Sequence, residues 1–126
     1  MQNNMRFRLL LLLFSITIAG CSKNEIATNQ DKIIGTWIAI DKSDTLDFTT
    51  NTDFFKSNGY LFYDHYDYEL FKDSIKIGYR GNLMILIRPT MHAYTLDQEN
   101  LTIDLSNTQC YGFEKKVMIY KKASQP

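Results

Sequence analysis

One stretch, YLFYDHYDYELF, residues 60–71, packs a histidine, two aspartates and a glutamate among its aromatic rings and raises the question of a metal site. On a strand, side chains two apart share a face, so His65 and Asp67 would point the same way, with His92 as a remote third group. Zinc wants about four nitrogen, sulfur or oxygen ligands, and a His-x-Asp pair supplies only two. Asp64-His65 fits equally well as the connection between two strands, so no metal site is expected. Asp97 and Glu99 stand near a turn and read as solvated loop carboxylates, not as an acid–base pair. No glycine-rich phosphate loop, G-x-S-x-G, H-E-x-x-H or C-x-x-C occurs. The chain therefore reads as a non-enzyme, with no catalytic residue and no cofactor.

The aromatic residues of the same stretch have three readings. Tyr60, Phe62, Tyr66 and Tyr68 line a barrel interior, stand outside as a platform for a glycan or peptide, or simply pack as core and cross-strand pairs. Aromatic side chains are common in strands for the last reason alone, and the residues leave the three open.

Two cysteines are present. Cys21 follows Met1–Gly20, in which Arg6 and Arg8 precede the apolar run Leu9–Ile18 and small residues close the segment. Basic residues, a short apolar core and small residues make a secretory signal peptide. The run is too short to span a bilayer, which takes about 20 residues as a helix. Cys110 has no histidine near it in sequence and is expected as a small buried hydrophobe.

Ser22–Lys32, SKNEIATNQDK, is polar and reads as a flexible tether reaching on the order of 20 Å. Residues 33–122 then form one domain, with 123–126 as a tail. The domain alternates with period two: Leu46 and Phe48, then Tyr66, Tyr68 and Leu70, then Ile75, Ile77 and Tyr79, then Leu101, Ile103 and Leu105. Such alternation marks half-buried antiparallel strands. Leu83–Ile87 is apolar on both faces, as a doubly covered strand would be. Turn residues recur at Lys42–Asp44, Ser57–Gly59, Lys72-Asp73, Arg80–Asn82, Arg88-Pro89, Gln98–Asn100 and Ser106–Gln109. Together they predict an all-β, antiparallel up-and-down barrel or sandwich of eight to ten strands with no helix beyond a turn near Asn29–Ile33. Charge excludes a nucleic-acid partner. Of 14 basic and 14 acidic residues, loss of Arg6 and Arg8 with the leader leaves 12 against 14, with no basic patch.

Two resemblances add to this reading. Ile18-Ala19-Gly20-Cys21 resembles a bacterial lipobox. It implies cleavage before Cys21, acylation of the Cys21 thiol and amine, and a lipid bilayer as partner. Ser22 is not the aspartate that commonly retains such lipoproteins in the inner membrane, so the resemblance implies outer-membrane delivery, to the periplasmic face or the cell surface. KIIGTWIAI, residues 32–40, resembles the G-x-W segment of lipocalins, and more closely the short lipocalin-like domains of bacterial lipoproteins. It implies a barrel entered at Gly35, closed at one end by Trp37 and covered there by a cation from the last strand. With that strand taken as Phe113–Lys121, the cation is Lys115. The implied function is binding of a small apolar or amphipathic ligand at the opposite mouth, with Tyr66, Tyr68, Tyr79 and Tyr94 as candidate contacts. The alternative is a protein-interaction module, an envelope inhibitor or accessory subunit.

Overall fold

The computed structural model describes residues 21–58, 63–82 and 86–125. Eight antiparallel strands close into a lipocalin-like barrel in simple chain order: β1 (Gly35–Ala39), β2 (Thr45–Phe48), β3 (Asp53–Ser57), β4 (Tyr63–Leu70), β5 (Ser74–Tyr79), β6 (Thr90–Leu96), β7 (Asn100–Asp104) and β8 (Val117–Lys122). Closure comes from β1 pairing with β8, Ala39 opposite Tyr120. The period-two pattern decides which side chains turn inward. Leu46, Phe48 and Phe54 do so from β2 and β3, Tyr66, Tyr68 and Leu70 from β4, and Leu101 and Ile103 from β7, all buried. A closed barrel leaves no unpaired sheet edge, which an open sheet of this size would expose.

The barrel has two ends. The base holds Gly35, the β2–β3, β4–β5 and β6–β7 turns and the end of β8. The mouth holds the other four connections.

The segment expected as a flexible tether is instead a helix, α1 (Cys21–Ile33), that contacts β4 and β6. Ile26, Asn29, Gln30 and Ile33 recur at the spacing of one helical face, and none of the four is fully exposed. Asn29 donates to the Tyr94 hydroxyl at 3.2 Å. Gln30 donates to the Asn51 carbonyl at 2.7 Å and to the Tyr68 hydroxyl at 3.3 Å. Ile33 is fully buried. The face reads poorly as apolar because two of its four residues bind by amide hydrogen bonds.

Trp37 is fully buried and its Nε1 donates to the Ile33 carbonyl at 2.7 Å, so indole and helix end close the base together. The cation over the ring is Lys122, with Nζ 5.2 Å from the ring centroid, and not Lys115, which is exposed in the β7–β8 connection. The difference is one of parity: β8 begins only at Val117, and its inward set is Met118 and Tyr120, which Lys122 continues at the base. The Lys122 Nζ also donates to the Lys32 carbonyl at 2.8 Å, a cation on the negative end of the α1 dipole. Gly35, at φ 122°, makes room for this lysine. A Cβ there would lie 3.2 Å from Lys122 Cε, in a backbone region that strains any other residue.

The doubly apolar run fares differently from the expectation. Residues 83–85 lie outside the described part. Leu86 and Ile87 belong to no strand, and Leu86 is 95% exposed.

Candidate functional site

Rings fill the barrel interior. Phe48 stacks on Phe54 at 4.8 Å, and Phe54 on Tyr66 at 5.0 Å with an interplanar angle of 7°. Tyr68 meets Phe48 edge-on at 4.9 Å, and Phe113 meets Tyr66 edge-on at 5.4 Å. Offset and edge-to-face contacts of this kind add to the burial of large apolar area.

Three of the four tyrosines expected as ligand contacts, Tyr66, Tyr68 and Tyr94, are buried parts of this packing. Their hydroxyls hold the protein together. Tyr68 donates to the Thr50 carbonyl at 2.8 Å and Tyr94 to the Phe71 carbonyl at 3.1 Å, both at the base under α1. Tyr66 donates to the Tyr111 carbonyl at 3.0 Å. Burial pushes the Tyr68 hydroxyl up to about 12 and raises Tyr66 and Tyr94 as well, so all three remain neutral donors. Tyr79 is half-buried at the mouth, its ring 4.7 Å from Tyr111. Tyr60 and Phe62 lie outside the described residues.

The β7–β8 connection folds across the mouth and places Cys110 and Phe113 inside. Gly112, at φ 80°, crosses directly over Tyr66, where a Cβ would collide with the hydroxyl. Cys110 is the small buried hydrophobe expected: burial raises its thiol to about 11, far from a reactive thiolate.

One charged pair is buried at the mouth. Lys56 and Asp44, both over nine-tenths buried, face each other at the mouth with Nζ 3.7 Å from Oδ2, and the ammonium sits 5.1 Å from the centre of the Phe113 ring. Burial raises the Asp44 pKa, and the Lys56 charge opposes that rise. The buried Tyr120 hydroxyl lies against the Asp44 carboxyl and interacts with it, which also works against the rise of the Asp44 pKa. Asp44, Lys56, Asn58, Gly112 and Met118 line a pocket of about 310 Å³ there. No local sequence signal marks this pair, because it forms only when β2 and β3 come into register.

The histidines separate. His65 lies within β4 and not in a turn, stacked on Phe55 at 4.9 Å and 2.9 Å from Asp53. Asp67 is held by Arg80, whose Nε donates to it at 2.7 Å. His92 points inward from β6 and meets the Thr90 hydroxyl at 2.7 Å; burial lowers its pKa. Among the described residues no three His, Cys, Asp or Glu side chains gather as a metal site would require.

Exposed apolar side chains collect toward the mouth. Ile40, Leu86, Met91, Tyr111, Val117 and Ile119 are in its half of the barrel, whereas Phe71 lies at the base and Ile38 pairs with Lys121 on the base side of the β1–β8 seam. Ile38, Ile40, Val117 and Ile119 are continuous across the β1–β8 seam, where the Ile40 amide donates to the Ile119 carbonyl at 3.0 Å. Comparison with protein-family models, with curated proteins and with solved structures finds no match.

Proposed function

We propose that this chain is a lipid-anchored protein of the cell envelope, held at the outer membrane by acylated Cys21, that works without catalysis by docking an envelope protein on the mouth end of its barrel. The observation that carries this reading is the gathering of exposed apolar side chains around the mouth. Continuous apolar surface rimmed by polar residues marks interaction sites. The packed column Phe48–Phe54–Tyr66 weighs against the carrier of an apolar ligand, since the rings occupy the volume such a ligand would need.

Two measurements test the proposal. Cys21→Ala is expected to abolish palmitate incorporation and recovery in membranes; equal labelling of the variant and the parent defeats the anchor. A photo-crosslinking residue at Leu86 or Ile40 should yield a discrete protein adduct in intact cells, and the same residue at Lys72 on the base should not. Adducts of equal yield from all three positions count against a mouth-directed partner.

A further inference from the structure

We infer that α1 holds the base of the barrel against the bilayer, so that the mouth faces away from the lipid surface. The inference rests on the Cys21 anchor proposed above and adds an orientation to it. A coil between anchor and barrel would let the domain tumble freely at the end of its tether. Here the chain is helical from Cys21 through Ile33, so no coil separates the anchor from the base.

The helix is fastened to the base along its second half. Asn29 and Gln30 bond to the Tyr94 and Tyr68 hydroxyls, Lys122 to the Lys32 carbonyl and Trp37 to the Ile33 carbonyl. Glu25 and Asn29 lie beside Lys72, Asp73 and Tyr94, so the helix runs across the base toward the β4–β5 turn. A 13-residue helix is about 20 Å long and about 10 Å thick. Acyl chains at its first residue therefore bring the base to within roughly one helix diameter of the headgroups.

The outward face of this end has the composition for that position. Glu25, Ala27 and Asp31 are exposed on α1, and Lys72 and Lys121 on the rim. Both signs of charge and little apolar area suit contact with zwitterionic headgroups and not insertion among acyl chains. Apart from Phe71 beside Lys72, the large apolar residues most exposed among the described residues, such as Leu86, Ile40 and Val117, stand toward the other end, where a protein partner can reach them.

The test uses the full-length protein purified from membranes and reconstituted into phosphatidylethanolamine–phosphatidylglycerol vesicles containing a headgroup-nitroxide lipid. A fluorophore is placed on Lys72→Cys at the base or on Thr108→Cys at the mouth. Because Cys110 is buried, the introduced thiol takes the label. The base label is expected to lose most of its fluorescence and the mouth label to keep nearly all of it. A Gly-Ser spacer inserted after Ser22 should bring the two values together while Trp37 emission stays unchanged. Equal quenching without the spacer, or stronger quenching at Thr108, overturns the orientation and leaves the anchor standing. A parent protein that neither takes up palmitate nor stays with the vesicles overturns the anchor, and the orientation with it.

Discussion

Trp37→Ala is expected to destabilise the domain by about 3–5 kcal/mol, the range for truncating a buried aromatic. The indole is fully buried, carries the Lys122 ammonium on its face and binds the last carbonyl of α1. Its loss would open a cavity at the base and release the helix end at once. Domains are stable by about 5–15 kcal/mol in total, so the variant should unfold at much lower urea or fail to fold, as circular dichroism will show. Trp37→Phe keeps most of the apolar area and removes one hydrogen bond, so a loss of about 1 kcal/mol is expected. Trp37 is the only tryptophan, and the parent should emit as a buried indole resistant to iodide. Water-like emission would contradict the whole arrangement of the base.

The second large effect lies at the mouth. Lys56→Met leaves the Asp44 carboxylate buried without its counter-charge, and removing one partner of a buried pair costs about 3–5 kcal/mol. Its pH dependence has a definite sign. Asp44 has a raised pKa in the folded protein, so the folded state binds its proton at a higher pH than the unfolded chain does. The penalty for the ionised carboxylate is therefore full above the folded pKa and shrinks as the pH falls through it toward the unfolded value, near 3.9. Without Lys56 the folded pKa rises further and this window widens upward. Urea midpoints of Lys56→Met should accordingly recover on mild acidification, relative to the parent. The double variant Asp44→Asn/Lys56→Met removes both charges and should regain most of the loss. A cost for Lys56→Met below about 1 kcal/mol, as for an exposed pair, would show that the pair is solvated.

The barrel was legible in the sequence because inward residues at every second position survive any uncertainty about strand ends. Leu46/Phe48, Tyr66/Tyr68/Leu70 and Leu101/Ile103 keep one parity throughout their strands, and buried side chains of that parity decide the fold. The helix was not legible by the same test. Ile26 and Ile33 alone are apolar on its inner face, and Asn29 and Gln30 read as solvent-facing until the tyrosine hydroxyls they meet are in place.

Lys115 and Lys122 differ by one residue of register, which exchanges the two faces of a strand, and Lys122 is the one over Trp37. Tyr66, Tyr68 and Tyr94 face inward, but Tyr68 and Tyr94 meet α1 at the base and not the mouth where ligand contacts were expected. In so small a barrel the inward side is packed core, and the residues left free to meet a partner are the outward Ile40, Val117 and Ile119 and the exposed Leu86. Outward apolar residues on a strand look, in sequence, the same as inward ones. The Asp44–Lys56 pair was hidden for a different reason: twelve positions separate its members, and nothing local to either predicts the other.

The most direct test of the account is whether the barrel interior holds anything besides its own side chains. Protein purified from its own envelope, examined by native mass spectrometry alongside a fluorescent fatty-acid binding assay, should show only the acylated chain, with no co-purified small molecule and no saturable uptake of the probe. A stoichiometric apolar ligand that leaves when the fatty acid enters would contradict the packed interior and return the protein to the ligand carriers.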